Sequence, residues 1–397
     1  MDRVDEALEQ AYRQLFGRLV GWLFRRTGDL QLAEDAVADA FASAVVAWRG
    51  KGIPDSPEAW LRVAARNSAM SALRRAARSV TVAPEDLELI PEDDVQPREL
   101  DDRLGLMLVC THPAIDERMH APLMLQAVLG VDAARIASAF LVSPATMGQR
   151  LSRTKTKIRD AGIRFALPPR EQLTPRLDAV LQAVYGAYGI GDTVGGDGDA
   201  DLRAEALRLS TLLTELLPDQ AETWGLLALI LHTRSRRTAR VAHGAFVPLA
   251  QQDTALWSKP DRGRADAALR RAAALGQIGR FQLEAAISAI HSSRADGHDT
   301  DWDTIVVLYR GLLRIAPSVG ATLGAAAALI EAGETTEAAA LLDALAPEAV
   351  RDHQPYWICR AQVAQASNDD AAAHAAFDRA IGLTSDPALR RYLLSRR

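Results

Sequence analysis

The sequence predicts an all-α protein, on three observations. Apolar residues recur at the helical period of about 3.6 in one segment after another. Alanine is abundant while aromatics make up only 5% of the 397 residues, a composition suited to helices that approach closely through small side chains. Near the C-terminus, Gly333, Ala338, Leu342 and Leu345 are matched by Asn368, Ala373, Phe377 and Ala380 at an offset of 35 residues, close to the period of about 34 of stacked helical hairpins. At 48% hydrophobic and 24% charged, the chain reads as two or three soluble globular domains. No stretch of about 20 uninterrupted apolar residues is present, and the opening MDRVDEALEQ is charged and helical. Cys110 and Cys359 are too few for a disulfide framework or a zinc site. A reducing cytoplasm and no membrane are the expected setting.

Taken in order, Leu32 to Trp48 forms a helix with Val37, Phe41, Ala44 and Trp48 on one face and Asp35 and Asp39 on another. A carboxylate pair one turn apart, flanked by Leu32 and Val46, suits a basic helix of a partner; a solvated surface pair is the plainer reading. In the helix from Pro57 to Arg78, a turn of about 100° per residue puts Trp60, Asn67, Ser71, Arg74 and Arg78 in one stripe. Ala59, Val63, Met70, Leu73 and Ala77 form a second stripe, expected to bury. An indole can stack on an unpaired base, an amide can read a base edge and guanidiniums hold phosphates. Taken alone, the segment reads more simply as a solvated arginine-rich helix.

From Pro84 to Asp102, nine carboxylates face only Arg98, with Pro84, Pro91 and Pro97 among them, which marks an acidic linker. Beyond it, Ile136, Ala137 and Phe140 belong to a short apolar helix, and Ser143-Pro144 restarts the chain as N-cap and first helical residue. On the new helix Met147, Leu151 and Ile158 form the buried stripe, leaving Thr146, Gln149, Arg150, Arg153, Thr156 and Lys157 outward. That is the layout of a helix-turn-helix, whose second helix reads base edges in the major groove and holds phosphates with later basic residues. Arg135, Arg150, Arg153, Lys155, Lys157, Arg159 and Arg164 stand against Asp160 alone, so the net charge of −5 conceals a basic module.

Gly189 to Asp201 is a second break. Asp197, Asp199 and Asp201 start like a calcium loop, but Leu202 and Arg208 occupy positions that need Gly and Glu, so a hinge is expected. Everything after it is expected to be helical. Asp301 or Thr300 caps a helix beginning at Trp302, which accounts for the polar run from His298 to Asp303. Without a Walker loop, a dinucleotide fingerprint, a His-Glu-x-x-His pair or an activated nucleophile, no enzyme activity, metal or cofactor is expected.

The order of these parts is specific where each alone is not. Ala33 to Val37 with Asp39, Ala40, Phe41 and Trp48, then Pro57 to Leu61, Ala65-Arg66-Asn67 and Leu73-Arg74-Arg75, are followed by Phe140-Leu141-Val142, Ala145-Thr146-Met147, Gln149-Arg150-Leu151 and Lys155 to Arg159. On these residues the chain resembles, over roughly 5–165, an alternative sigma factor of the extracytoplasmic-function (ECF) type. Its length and segments such as Leu226 to Leu229, Gln282 to Ile287 and Thr300 to Pro317 are similar to the subgroup with a C-terminal tetratricopeptide-like extension. The resemblance implies sigma domain 2 at 5–80, an acidic linker at 81–102, sigma domain 4 at 103–166, a connector and hinge at 167–201 and a helical-repeat domain at 202–397.

It also implies roles. Trp60, Arg66, Asn67, Ser71, Arg74, Arg75 and Arg78 would engage the −10 element; Thr146, Gln149, Arg150, Arg153, Lys155 and Lys157 the −35 element. Asp35, Asp39, Leu32 and Val46 would dock on the β′ clamp of core RNA polymerase. The implied partners are core polymerase, through β′ clamp and β flap, promoter DNA, and a protein or small molecule for the repeat domain. Ser71 stands where the family usually has Asp, Arg135 where it has Glu, Val184 to Asp192 replaces an Asn-Glu-Gly-Tyr run, and Pro122 is expected to kink its helix. Ser71, Arg135 and Pro122 keep open an alternative, a helical-repeat scaffold or polymerase-binding protein whose sigma-like half no longer initiates transcription.

Overall fold

A computed structural model describes residues 3–79, 102–140, 142–165, 170–191, 200–384 and 386–397. Among the described residues the chain is all-α, as the sequence predicts, apart from one small hairpin of strands. The acidic linker from 81 to 101, Leu141, and Asp197 and Asp199 of the hinge lie outside the described residues. The chain divides into two units, Met1–Gly191 with Gly198–Ala206, and Asp192–Asp197 with Leu207–Arg397.

In the first unit, α1 (Arg3–Thr27), α2 (Leu30–Lys51) and α3 (Pro57–Ser79) pack on one another. Gly28 at φ 67° ends α1, because glycine takes up the left-handed conformation of that turn without a Cβ penalty. Asp29 then caps α2, its carboxylate accepting from the Leu32 amide at 3.1 Å. The apolar face of α2 is the expected one, with Val37, Phe41, Ala44 and Trp48 all buried. On α3 the buried residues differ in part from expectation: Met70 is buried as expected, but Leu61, Ala65 and Ala69 fill the core beside it, while Ala59 and Val63 are exposed. This i, i+4, i+8 row belongs to the helix that packs on α1 and α2, and that choice of face is made by the neighbours.

Four further helices follow: α4 (Asp102–Cys110), α5 (Glu117–Leu129), α6 (Ala133–Ala139) and α7 (Pro144–Asp160). α5 runs unbroken through Pro122, which forfeits one backbone donor inside a helix secured at both ends, by Asp116 at the start and by Gly130 at φ 70°. α7 begins at the Ser-Pro pair, with Ser143 Oγ accepting from the Thr146 amide at 3.1 Å, and buries Met147, Leu151 and Ile158. α8 (Arg170–Gly191) adds Val180, Leu181, Val184 and Tyr188 to the core. α1 meets this second group across a bare surface. A Cβ on Gly17 would fall 2.2 Å from the Val128 carbonyl oxygen, and one on Gly21 2.5 Å from that of Asp102.

α9 (Ala200–Leu216) has residues on both sides of the division. The second unit continues with α10 (Ala221–Ser235), the strands β1 (Val241–Ala242) and β2 (Ala245–Phe246), α11 (Lys259–Ala274), α12 (Arg280–Ser292) and α13 (Trp302–Ile315). It closes with α14 (Val319–Glu331), α15 (Thr335–Asp343), α16 (Pro347–Val350), α17 (Gln354–Ala366), α18 (Asp370–Leu383) and α19 (Pro387–Arg396). The expectation of helix throughout is corrected between α10 and α11. There β1 pairs antiparallel with β2 across His243 and Gly244, both at positive φ, as a two-residue hairpin turn requires. Downstream, Gly333 at φ 84° and Asn368 at φ 58° occupy equivalent turns, between α14 and α15 and between α17 and α18. Asp301 caps α13, accepting from the Thr304 amide at 2.9 Å.

One cap comes from a neighbouring helix. Gly279 at the start of α12 has no side chain to offer, and Glu222 of α10 accepts instead from the Phe281 and Gln282 amides, at 2.8 and 3.0 Å. A negative charge beside two orphan donors is favourable at a helix N-terminus. The approach is allowed by Gly225, where a Cβ would sit 2.6 Å from the Gln282 nitrogen. Glu222→Ala is therefore expected to cost about 1–2 kcal/mol, with Glu222→Gln losing less, both measured by urea unfolding.

Candidate nucleic-acid interface

α2 and α3 enclose a groove of about 1150 Å³. Its lining includes Asp39, Val46 and Lys51 from α2 and Trp60, Asn67, Ser68, Ser71 and Arg75 from α3. Trp60 is half-buried and packs edge-on against the buried Trp48, with ring centroids 5.9 Å apart and an interplanar angle of 71°. The indole is thus held upright by an apolar base, leaving part of its surface to the groove. Asn67, Ser71, Arg74 and Arg75 are exposed. Ser71 Oγ donates to the Asn67 carbonyl at 2.8 Å, so its hydroxyl already serves the helix. An aromatic face, an amide and cations around one open groove suit an unpaired nucleic-acid strand.

The structure does not bring every predicted residue to this groove. Arg66 lies six positions after Trp60, about 240° around the helix, and is half-buried. Arg74 and Leu32 are not part of the lining, and the side chain of Arg78 lies outside the described residues. Asp35 and Asp39 do not act as a pair: Asp35 accepts from Gln31 Nε2 at 2.8 Å, whereas Asp39 accepts from Ser68 Oγ at 2.7 Å and faces the groove. Val46 is 76% exposed. Sequence reasoning missed Lys51 and Ser68. Ser68 was within reach, because it stands one turn from Ala64 on the face that carries Trp60.

On α7, Gln149, Arg150, Arg153 and Lys157 are exposed along one side. Thr146 is half-buried, and its hydroxyl lies 2.8 Å from that of Ser143. Lys155 requires correction. It lies nine residues after Thr146, about 180° away at 100° per residue, and is buried. Its ammonium pairs with Glu34 Oε2 at 2.5 Å and donates to Gln31 Oε1 at 3.2 Å. Burial pushes the Glu34 carboxyl above the usual carboxylate range, with Lys155 opposing the shift. One turn on, Arg159 approaches Asp29 Oδ2 at 3.5 Å. Lys155 in this arrangement ties helices together and does not face a phosphate.

Among the described residues no group of three or more metal-ligating side chains is assembled, and no helix is long and apolar enough to cross a membrane. His291 stands edge-on to Trp302, centroids 5.4 Å apart, with burial pushing its imidazole down to about 4.

Residues 11–79, ending with α3, match sigma-70 region 2, and residues 176–273 match a family of unknown function, DUF6596. An uncharacterized protein of Rhizobium meliloti (strain 1021) is 36% identical over 404 residues, spanning 98% of this chain and 94% of its own.

Trp60→Ala is expected to weaken binding of single-stranded DNA by about 1–3 kcal/mol. Val63→Ala, on the same helix but away from the groove lining, is expected to leave it unchanged. Fluorescence-anisotropy titration of a labelled oligonucleotide measures both.

Proposed function

We propose that this chain, which belongs to the same family as that Rhizobium meliloti protein and carries a sigma-70 region 2, is an ECF-type sigma factor. Its region 2 supports a sigma-factor-like role in transcription initiation, with core RNA polymerase and promoter DNA as partners. In the finer reading, the first unit opens and captures the −10 element in the groove of α2 and α3, and α7 reads the −35 element. The observation that carries it is that the matched region ends with α3 and contains the whole lining of that groove.

Within this reading Trp60 stacks a base freed from the duplex, Asn67 reads its edge, and Arg74 and Arg75 hold the strand. Asp35, with Leu32 and Val46, docks on the β′ clamp; Asp39, bonded to Ser68, instead shapes the groove. On α7, Thr146, Gln149 and Arg150 set upstream specificity while Arg153 and Lys157 hold phosphate. The second unit is a tetratricopeptide-like domain that regulates the sigma half or recruits a partner to it.

A second reading has one observation in its favour. Lys155 is ion-paired within the fold, as it would be in a scaffold whose sigma-like half no longer leaves its packed state. Run-off transcription with purified core polymerase separates the two. Initiation by the full chain supports the sigma reading; polymerase binding without initiation, in the full chain and in a chain ended near residue 195, supports the scaffold.

Gln149→Ala is expected to change preference at one or two base pairs, each worth about 1–3 kcal/mol, in a binding-site selection. Lys157→Ala is expected to weaken all sequences alike and to lower the salt slope by about one ion, as read from binding isotherms at several salt concentrations.

A further inference from the structure

The second unit carries a segment that its helices hold much as they would hold a ligand. Between α10 and α11 the chain leaves the helices at Ser235 and rejoins them at Ser258, whose amide donates to the Ser235 carbonyl at 2.9 Å. From Arg240 to Leu256 of this insert, Gln252 alone is buried. The insert is nevertheless gripped far from its root. Arg294, in the turn after α12, donates to the carbonyls of Leu249 and Ala250 at 2.6 and 2.9 Å. Arg391 of α19 donates to the carbonyl of Gly244 at the hairpin tip, and Phe246 stands edge-on to Tyr392 of α19, ring centroids 5.7 Å apart. Residues 236–243 reach at most about 28 Å, at 3.3–3.6 Å each. In a straight stack, the layers α12/α13, α14/α15, α17/α18 and α19 would carry α19 roughly 32–40 Å away, at 8–10 Å per layer. The array therefore curves back on itself, as solenoids do, and the insert runs from its first pair of helices to its last helix.

We propose that the insert stands in for a partner, and that Arg294, Arg391 and Tyr392 form a docking surface for an extended, acidic protein segment that displaces it. The inference rests on the reading of the second unit as a domain that recruits a partner. Among the described residues, every hydrogen bond of these two arginines goes to a main-chain carbonyl of the insert. Such bonds do not depend on side-chain identity, so another extended chain can supply them. Val241 to Gln252 contains no Asp, Glu, Lys or Arg, which leaves both guanidiniums on neutral acceptors. A carboxylate in either place forms a charge-assisted bond about twice as strong. The contacts also set a spacing. The gripped carbonyls belong to Gly244 and Leu249, with Phe246 between them, so the fitting partner carries an aromatic residue flanked by acids about five positions apart. Release disturbs little of the core. The insert gives up polar bonds and one aromatic edge, which places it at the low-stability end of the unit. Its root stays fixed by the Ser258 bond and by Trp257, which is buried and lies 5.7 Å below the Arg294 guanidinium.

The test titrates the full chain into a fluorescein-labelled peptide of residues 241–252 carrying Gly244→Asp, Leu249→Asp and Ala250→Asp, read by anisotropy. A peptide of the same composition in scrambled order is the control, and hydrogen exchange follows the insert of the unmodified chain. The ordered peptide is expected to bind, the scrambled one about tenfold more weakly, and the Val247 amide, which donates to the Arg240 carbonyl, to exchange faster with peptide bound. Gly244→Ala in the chain loosens the tip and leaves both arginines in place. Its Cβ would lie 2.9 Å from Arg391 Nη2, at a φ of +74°. Binding of the ordered peptide is then expected to tighten several-fold, because a larger fraction of the chain is open. Arg294→Gln and Arg391→Gln also loosen the insert, yet each is expected to weaken binding about tenfold. A purely structural tie would not separate these variants from Gly244→Ala. No binding of the ordered peptide, equal binding of the scrambled one, or binding that leaves exchange of the insert unchanged would each overturn the inference. A dimer of Gly244→Ala by light scattering, with no peptide bound, would overturn it too and assign the surface to a second copy. Whether the second unit acts on the sigma half at all is read apart from these outcomes, by run-off transcription with the chain ended near residue 195.

Discussion

The first unit depends on two positions of α1 that carry no side chain. Gly17 and Gly21 lie one turn apart, and each faces the backbone of another helix at a distance that a methyl group would make impossible. With that approach allowed, α4 and α5 seat on α1, and α7 is brought onto α2. The buried pair of Lys155 and Glu34 follows from this geometry. Two charges so deeply buried gain little net stability, since desolvation consumes most of their attraction. Apolar packing and the glycine seam supply the cohesion, and the ion pair fixes register.

The second unit solves the same packing problem with other small residues. Gly225 lets α10 touch the first turn of α12, and Gly324 on α14 leaves room for Tyr309 of α13, whose hydroxyl would lie 2.3 Å from an added Cβ. Alanines at 268, 272, 326, 338, 361 and 380 are buried between helices. Close approach brings side chains of one helix within reach of the unpaired backbone of the next, and the Glu222 cap on α12 is the result. A composition poor in aromatics thus has a structural counterpart, in which stability comes from many short interhelical distances.

The groove of α2 and α3 shows how a binding surface can be made from a core. Trp48 is one of the largest fully buried side chains, and it packs against the half-buried Trp60 that lines the groove. The bond between Asp39 and Ser68 joins the two walls at mid-length. Rigid walls with an aromatic step between them reduce the entropy lost when a flexible strand is held. The recognition side of α7 is prepared differently. Its cap, Ser143, fixes where the helix starts, and so fixes which residues of the first two turns project together.

Features that depend on neighbours within one turn were legible in the residues alone. The start of α7 at Ser143-Pro144, the Asp301 cap, the buried face of α2 and the 35-residue match between Gly333 and Asn368 are all written in spacings of three or four residues or in a single period. So was the placing of Trp60, Asn67 and Ser71 on one face, together in one groove. Packing between distant segments set the rest: which face of α3 is buried, which way Asp39 turns, where the β1–β2 hairpin interrupts the helices, and that Lys155 is an internal ion-pair partner. A helical period says which residues share a side, but not what stands opposite. Lys155 met Glu34 across 121 positions of chain, and Glu222 met Phe281 across 59. No local pattern records such a meeting, because it is set by how closely two backbones can approach.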